Sequence, residues 1–244
     1  MRDYQFETRT KTRLGMVVLS TDETLEDEAR QVIEGREVSL FHSRIYSAPS
    51  VTPESLKAME VLIPASVELF PEGLDAIAYG CTSASVMMGP EAVQEQVRSI
   101  AAQGKAPVTN PITGVMRALG ALGAEKIGLV TPYTSQVAGP MRAFLAQHGI
   151  ETLKEISFGE EIDPNVARIS EASTLEAVLE AGRIDGVQAV FASCTNLRAF
   201  GIIEEAEAEL GLPVISSNLA LVWDLLRIGG VDARGWGPGR LFAL

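Results

Sequence analysis

Short apolar runs alternate with amphipathic stretches along this chain. Leu14–Ser20, Leu74–Gly80, Pro107–Asn110, Ile127–Tyr133, Val187–Ala192 and Pro213–Ser216 are apolar without the every-other-residue alternation of a half-exposed strand. Continuous runs of this length suit parallel strands covered on both faces. Helical spacing fills the intervals. Thr24–Glu34 follows the capping candidates Thr21 and Asp22, and Pro53–Leu62 starts with proline behind Thr52. Pro64 is expected to break or kink that helix before Ala65–Phe70. Pro90–Ala102, Gly114–Leu122, Gln136–His148, Asn165–Ala181, Leu197–Leu210 and Asn218–Ile228 complete the helical set.

The pattern is written twice. Gly80-Cys81-Thr82-Ser83 and Ser193-Cys194-Thr195-Asn196 each close an apolar run, and the cysteines lie 113 residues apart. The same offset pairs Leu14–Ser20 with Ile127–Tyr133. Pro107-Val108-Thr109-Asn110 has its counterpart in Pro213-Val214-Ile215-Ser216, with seven residues fewer in the second half. Strand–helix alternation in two registered copies predicts an α/β fold of two pseudo-symmetric lobes. Each lobe has about four parallel strands flanked by helices. Residues 1–114 with 217–244 form the first lobe and 115–216 the second, the C-terminal helix crossing back.

Composition narrows the function. The 244 residues are 46% hydrophobic and 21% charged, with a net charge of −12. Such an acidic chain is a poor partner for nucleic acid or for anionic membrane surfaces. No apolar run approaches the ~20 residues of a membrane span, and the polar start MRDYQFETRTKTR lacks a signal peptide's apolar segment. The expected location is cytoplasmic, where two cysteines stay reduced. His42 and His148 are the sole histidines and there is no C-x-x-C, so neither metal nor cofactor is expected. Apolar stretches would suit a homo-oligomer face and core packing equally.

Ligands of such sheets sit outside the carboxyl ends of the strands. Both Cys-Thr motifs belong there, each just before a helix whose N–H groups favour a thiolate and seat a carboxylate. Two sulfurs on opposite faces of a planar carbon can remove a proton on one side and return it on the other. Alternatively, one thiolate adds to an activated C=C, permits rotation and leaves. The plain alternative is that both are small buried hydrophobes; their matched positions argue against it. Ser20, Asp22, Thr82, Ser83, Asn110, Tyr133, Thr195 and Asn196 are candidate substrate contacts at the same strand ends. Asp22 also reads as a helix cap, Asn110 as a turn residue before Pro111, and Tyr133 as a packed loop residue. Ser216-Ser217-Asn218 ends the last strand. The acidic run Glu23–Glu28 reads as a solvated helix face, and Met87-Met88 as core.

These residues, with Val130-Thr131-Pro132-Tyr133, resemble the aspartate/glutamate racemase superfamily. Within it the chain is similar to the maleate cis-trans isomerase and arylmalonate decarboxylase branch. Val18–Glu28, Phe41–Ile45 and Pro213–Asn218 are similar to the ectoine-utilisation protein A family. The resemblance implies flavodoxin-like lobes around a cofactor-independent site. It implies Cys81 as nucleophile, Cys194 as partner acid and Tyr133 as carboxylate contact. Asp22 stands where the maleate isomerases are expected to carry an uncharged asparagine. That departure suits a substrate with a cationic or amidine nitrogen, such as an ectoine-derived amino acid. The expected activity is isomerisation, racemisation or epimerisation of a small carboxylate. A malonate-type decarboxylase using Cys194 alone, and a non-catalytic two-lobed binding protein, are the competing expectations.

Overall fold

The computed structural model describes residues 2–87 and 89–244. The core role expected of Met88 lies outside the described residues, as does the side chain of Met87.

Two four-stranded sheets, all parallel, form the centre of the chain. The first contains β1 (Thr12–Leu19), β2 (Val38–Ile45), β3 (Ala76–Gly80) and β4 (Val108–Thr109), in the order β2-β1-β3-β4. The second contains β5 (Lys126–Tyr133), β6 (Glu151–Glu160), β7 (Ala189–Ala192) and β8 (Val214–Ser216), in the order β6-β5-β7-β8. The two sheets repeat each other strand for strand, as the duplicated sequence predicts. β3 and β7 are buried at every position, the sign of strands covered on both sides. The edge strands β2 and β6 are only half-buried and carry polar residues. That explains why they give no continuous apolar run.

In the first half the helices are α1 (Leu25–Ile33), α2 (Pro53–Met59), α3 (Ile63–Val67), α4 (Thr82–Met87), α5 (Gly89–Gly104) and α6 (Pro111–Leu122). The second half has α7 (Ser135–Gln147), α8 (Asp163–Val166), α9 (Glu171–Gly182), α10 (Ile203–Leu210) and α11 (Ser217–Ile228). Several differ from the sequence expectation. Pro64 sits in the first turn of α3, where a missing N–H costs nothing, and a 3-10 turn joins α3 to α2. The stretch expected as one helix over Asn165–Ala181 is two, because Ser170 caps a fresh start with its Oγ accepting from Ser173 N at 3.2 Å. Leu197–Leu210 is helical only from Ile203, after turns and a 3-10 segment. Cys194 therefore does not precede a helix directly, whereas Cys81 does.

The seam between the halves is built by α6 and α11. Strand-end residues cap both: Asn110 Oδ1 accepts from Thr113 N at 2.9 Å, and Ser216 Oγ from Leu219 N at 3.0 Å. α11 is buried nearly all round and packs on α6, α1, β3 and β8. Such a helix belongs inside a fold, not on its surface. Gly114 permits the approach, since a Cβ there would lie 2.7 Å from the Ala220 carbonyl oxygen. One apolar cluster runs from Leu14 in β1 through Ile112 and Ala220 to Phe191 in β7, so the halves share a core.

Candidate active site

Cys81 follows β3 and Cys194 follows β7, and the two are 4% and 2% exposed. A short hydrogen-bonded path joins their surroundings. Thr82 Oγ1 donates to Ser217 Oγ at 2.9 Å, and Ser217 Oγ accepts from Cys194 N at 3.0 Å. Ser217, on the first turn of α11, thus ties the residue after one cysteine to the backbone of the other. Backbone N–H groups point at both sulfurs, from Ala84 to Cys81 Sγ at 3.4 Å and from Asn196 to Cys194 Sγ at 3.3 Å. Both thiols also lie within the fields of the same two carboxyls, Asp22 and Asp163.

Their environments nevertheless differ. Cys194 has φ 126°, a region that L residues avoid. Its sulfur is 2.9 Å from the Tyr133 hydroxyl, which donates in turn to Asp163 Oδ1 at 3.2 Å. Asp163 Oδ2 accepts from Thr21 Oγ1 at 2.6 Å and from Asn196 Nδ2 at 3.3 Å. Near Cys81 the buried Tyr79 hydroxyl is close enough to favour the thiolate, but forms no well-aligned hydrogen bond. Burial pushes the Cys81 thiol up to about 12 and holds Cys194 well above its ordinary value, with the two carboxyls adding to both. Both cysteines rest as thiols. Burial likewise raises Asp22 to about 6 and Asp163 above the usual carboxylate range, against the donors bonded to them.

The other candidates divide. Thr82, Ser83, Thr195 and Asn196 are all buried beside the cysteines. Asn196 uses its amide to bind the first half: Oδ1 accepts from Glu23 N at 2.8 Å, and Nδ2 donates to the Thr21 carbonyl at 3.1 Å. Asp22 caps α1, its Oδ1 accepting from Thr24 N and Leu25 N at 2.9 and 2.8 Å. Its buried Oδ2 makes no full hydrogen bond, although the Thr195 hydroxyl is near enough to stabilise the charge. Asn110 Nδ2 is buried and unpartnered. Ser20 is exposed, with Oγ accepting from Ser47 N at 2.9 Å.

Three contributors escape the sequence reading. Asp163 reads as an ordinary start to α8 before Pro164. Ser217 is one of three polar residues at a strand end. Glu28, expected on a solvated face, is 4% exposed and joins the halves. Its Oε1 accepts from Ala199 N and Phe200 N at 3.0 and 3.1 Å, and its Oε2 from Asn218 Nδ2 at 2.7 Å. Its spacing from Leu25, Ala29 and Val32 was the available signal. The cavity of about 350 Å³ between α3 and α5 has neither cysteine in its lining. Among the described residues no cluster of His, Cys, Asp and Glu has the arrangement to hold a metal ion.

The profile of the arylmalonate decarboxylase family matches residues 14–242. The chain belongs to that family. It is 30% identical over 229 residues to a maleate isomerase of Geobacillus stearothermophilus, covering 88% of this chain and 90% of that one. It is 31% identical over 200 residues to an arylmalonate decarboxylase of Bordetella bronchiseptica, covering 79% and 82%. A cysteine-to-serine mutant of Nocardia farcinica maleate cis-trans isomerase, holding a covalently bound succinylcysteine intermediate, superposes with TM-score 0.83 at 28% identity over 96% of this chain and 98% of that one. A liganded arylmalonate decarboxylase mutant gives TM-score 0.83 at 26% identity over 94% and 96%. These relatives are the maleate isomerase and arylmalonate decarboxylase branch to which the motifs pointed.

Proposed function

We infer that this protein is a cofactor-independent isomerase of a small carboxylate, with Cys81 as nucleophile and Cys194 as acid and base. The observation that carries the reading is the pair of buried thiols joined across the seam by Thr82, Ser217 and the Cys194 amide. Both thiols rest protonated, so the reaction begins as Cys81 passes its proton to one of the two carboxylates within electrostatic reach, Asp22 or Asp163, which returns it to the sulfur when the product leaves. The thiolate adds to one carbon of the substrate C=C, and Cys194 gives its proton to the other. Rotation follows about the resulting single bond. Cys194 then takes a proton back from that carbon as the C–S bond breaks and the isomerised alkene departs. Metal or cofactor chemistry forms no part of the scheme.

The substrate is the finer question. Maleate isomerases among the relatives suggest an unsaturated diacid. Two buried carboxyls at this site argue otherwise, because among the described residues no Lys, Arg or His side chain pairs with the carboxylate of Asp22 or Asp163, Arg44 reaching only the Asp22 backbone carbonyl at 3.0 Å. A dianion would meet like charge in a poorly screened setting. A substrate bearing an ammonium or amidine nitrogen beside its carboxylate, as an ectoine-derived amino acid does, meets complementary charge. A cytoplasmic setting suits two free thiols. An arylmalonate-type decarboxylase needs only Cys194, and retention of Cys81 counts against it.

Mass spectrometry of the protein incubated with maleate and with ectoine-derived amino acids tests the scheme. A substrate-sized adduct on Cys81, lost in Cys81→Ala, supports addition and rotation. Exchange of the α-hydrogen with solvent deuterium and no adduct would reassign the pair to racemisation. Full turnover in both Cys81→Ala and Cys194→Ala overturns the reading.

A further inference from the structure

The two thiols occupy matched places in a duplicated fold, yet only one is wired to a carboxylate. Tyr133 stands between Cys194 Sγ at 2.9 Å and Asp163 Oδ1 at 3.2 Å. All three groups are buried. A phenol has one proton to give. Since it donates to Asp163, the contact to sulfur is completed by the thiol donating to the phenol oxygen. The result is a directed chain, S–H to O–H to carboxylate. Thr21 and Asn196 hold the far oxygen of Asp163 and fix the carboxyl on this line. At the matching place in the first half, 113 residues earlier, Tyr133 corresponds to Ser20, exposed and turned to Ser47. Among the described residues no hydrogen bond carries Cys81 onward to a carboxylate.

We propose that Asp163 is a positioning residue that exchanges a proton with Cys194 through the Tyr133 hydroxyl. In one direction the S–H bond breaks as its proton joins the phenol oxygen, and the phenol's own proton forms an O–H bond on Asp163. Negative charge passes from carboxylate to sulfur and no proton enters solvent. The reverse transfer restores the thiol. Cys194 can therefore act both as acid and as base within a closed site, while Cys81, lacking such a chain, serves as nucleophile. The assignment rests on Cys194 being the acid of the proposed isomerase. Its test reads the thiol and not turnover, so each can fail without the other.

Simple electrostatics and the relay predict opposite signs. A buried negative charge disfavours a thiolate beside it, and Asp163 and Asp22 are the carboxyls that bear on Cys194. If Asp163 acted only as a charge, Asp163→Asn would speed alkylation of Cys194. The relay requires the reverse. With iodoacetamide at about pH 6–7, below the thiol's ionisation range, modification of Cys194 in Asp163→Asn is expected to slow by about tenfold. Cys81, followed in the same digest and relieved of the Asp163 charge, should react no more slowly than in the wild type. In a Tyr133→Phe background the relay is already cut, and Asp163→Asn should then accelerate Cys194. If Asp163→Asn loosens the site, both thiols will react faster together. Asp163→Glu then decides: it keeps the charge but displaces it from Tyr133, and slower Cys194 modification upholds the relay. Cys194 reacting as fast as wild type or faster in an intact Asp163→Asn protein, or unchanged in Asp163→Glu, overturns it.

Discussion

Cys194 is held at φ 126°, and this strain can be measured apart from the chemistry of its sulfur. Cys194→Ala and Cys194→Gly both delete Sγ and its contacts to Tyr133 and the Asn196 amide. They differ in whether a Cβ remains in the disfavoured conformation. Holding an L residue there costs about 1–3 kcal/mol. Glycine escapes that cost but returns about 0.5–1 kcal/mol through its freer unfolded chain. Because Ser217 and the Val130 carbonyl fix the local backbone, with Ser193 N donating to Val130 O at 2.7 Å, little relaxation is available to the alanine variant. Cys194→Gly should therefore be more stable than Cys194→Ala by about 1 kcal/mol, the reverse of the usual order of these residues. In a chain of this length that is a Tm about 2–4 °C higher. Thermal unfolding of the two variants side by side, with urea midpoints as a check, measures it, and neither should turn over substrate. Equal stability, or glycine below alanine, would refute the claim that the turn holding the second cysteine stores strain.

Glu28 predicts a pH-dependent stability. Burial raises its pKa from 4.5 to about 7, despite donors from Ala199, Asn218 and Phe200. The native state therefore holds this proton more tightly than the unfolded chain does. Its contribution is fully present below pH 4.5 and is lost as pH rises toward 7, by at most about 3 kcal/mol. Urea midpoints taken across that window should fall with pH, and Glu28→Gln should flatten the slope, leaving the parts from the other carboxyls that burial raises, Asp22, Asp163 and Glu207; an unaltered slope counts against the assignment. Gly114→Ala places a Cβ at 2.7 Å from the Ala220 carbonyl oxygen. Separating α6 from α11 to accommodate it should cost about 1–3 kcal/mol, read as a lower urea midpoint with the slope of the transition unchanged, and should reduce turnover by shifting Ser217.

What was legible in the sequence follows from what repetition preserves. The buried strands β1, β3, β5 and β7 must be apolar on both faces, so they appear as continuous runs, and two Cys-Thr pairs at one offset mark their ends. The edge strands β2 and β6 face solvent in part and lose that signal. Asp22, Thr195 and Asn196 were visible because they adjoin the repeated motifs. Asp163 was not, for a physical reason: it has no acidic counterpart in the first half, where Ser50 stands at the matching offset. The pairing of these two loops is nevertheless preserved in space. Val51 N donates to the Glu161 carbonyl at 3.0 Å and Asp163 N to the Pro49 carbonyl at 2.8 Å, a two-way bridge across the seam. Duplication thus explains the scaffold, the two sulfurs and the bridge that brings Asp163 inward. The proposed chemistry depends on where the copies diverge. Ser50 and Ser20 in the first half give way to Asp163 and Tyr133 in the second, and that pair of differences is what makes one thiol unlike the other.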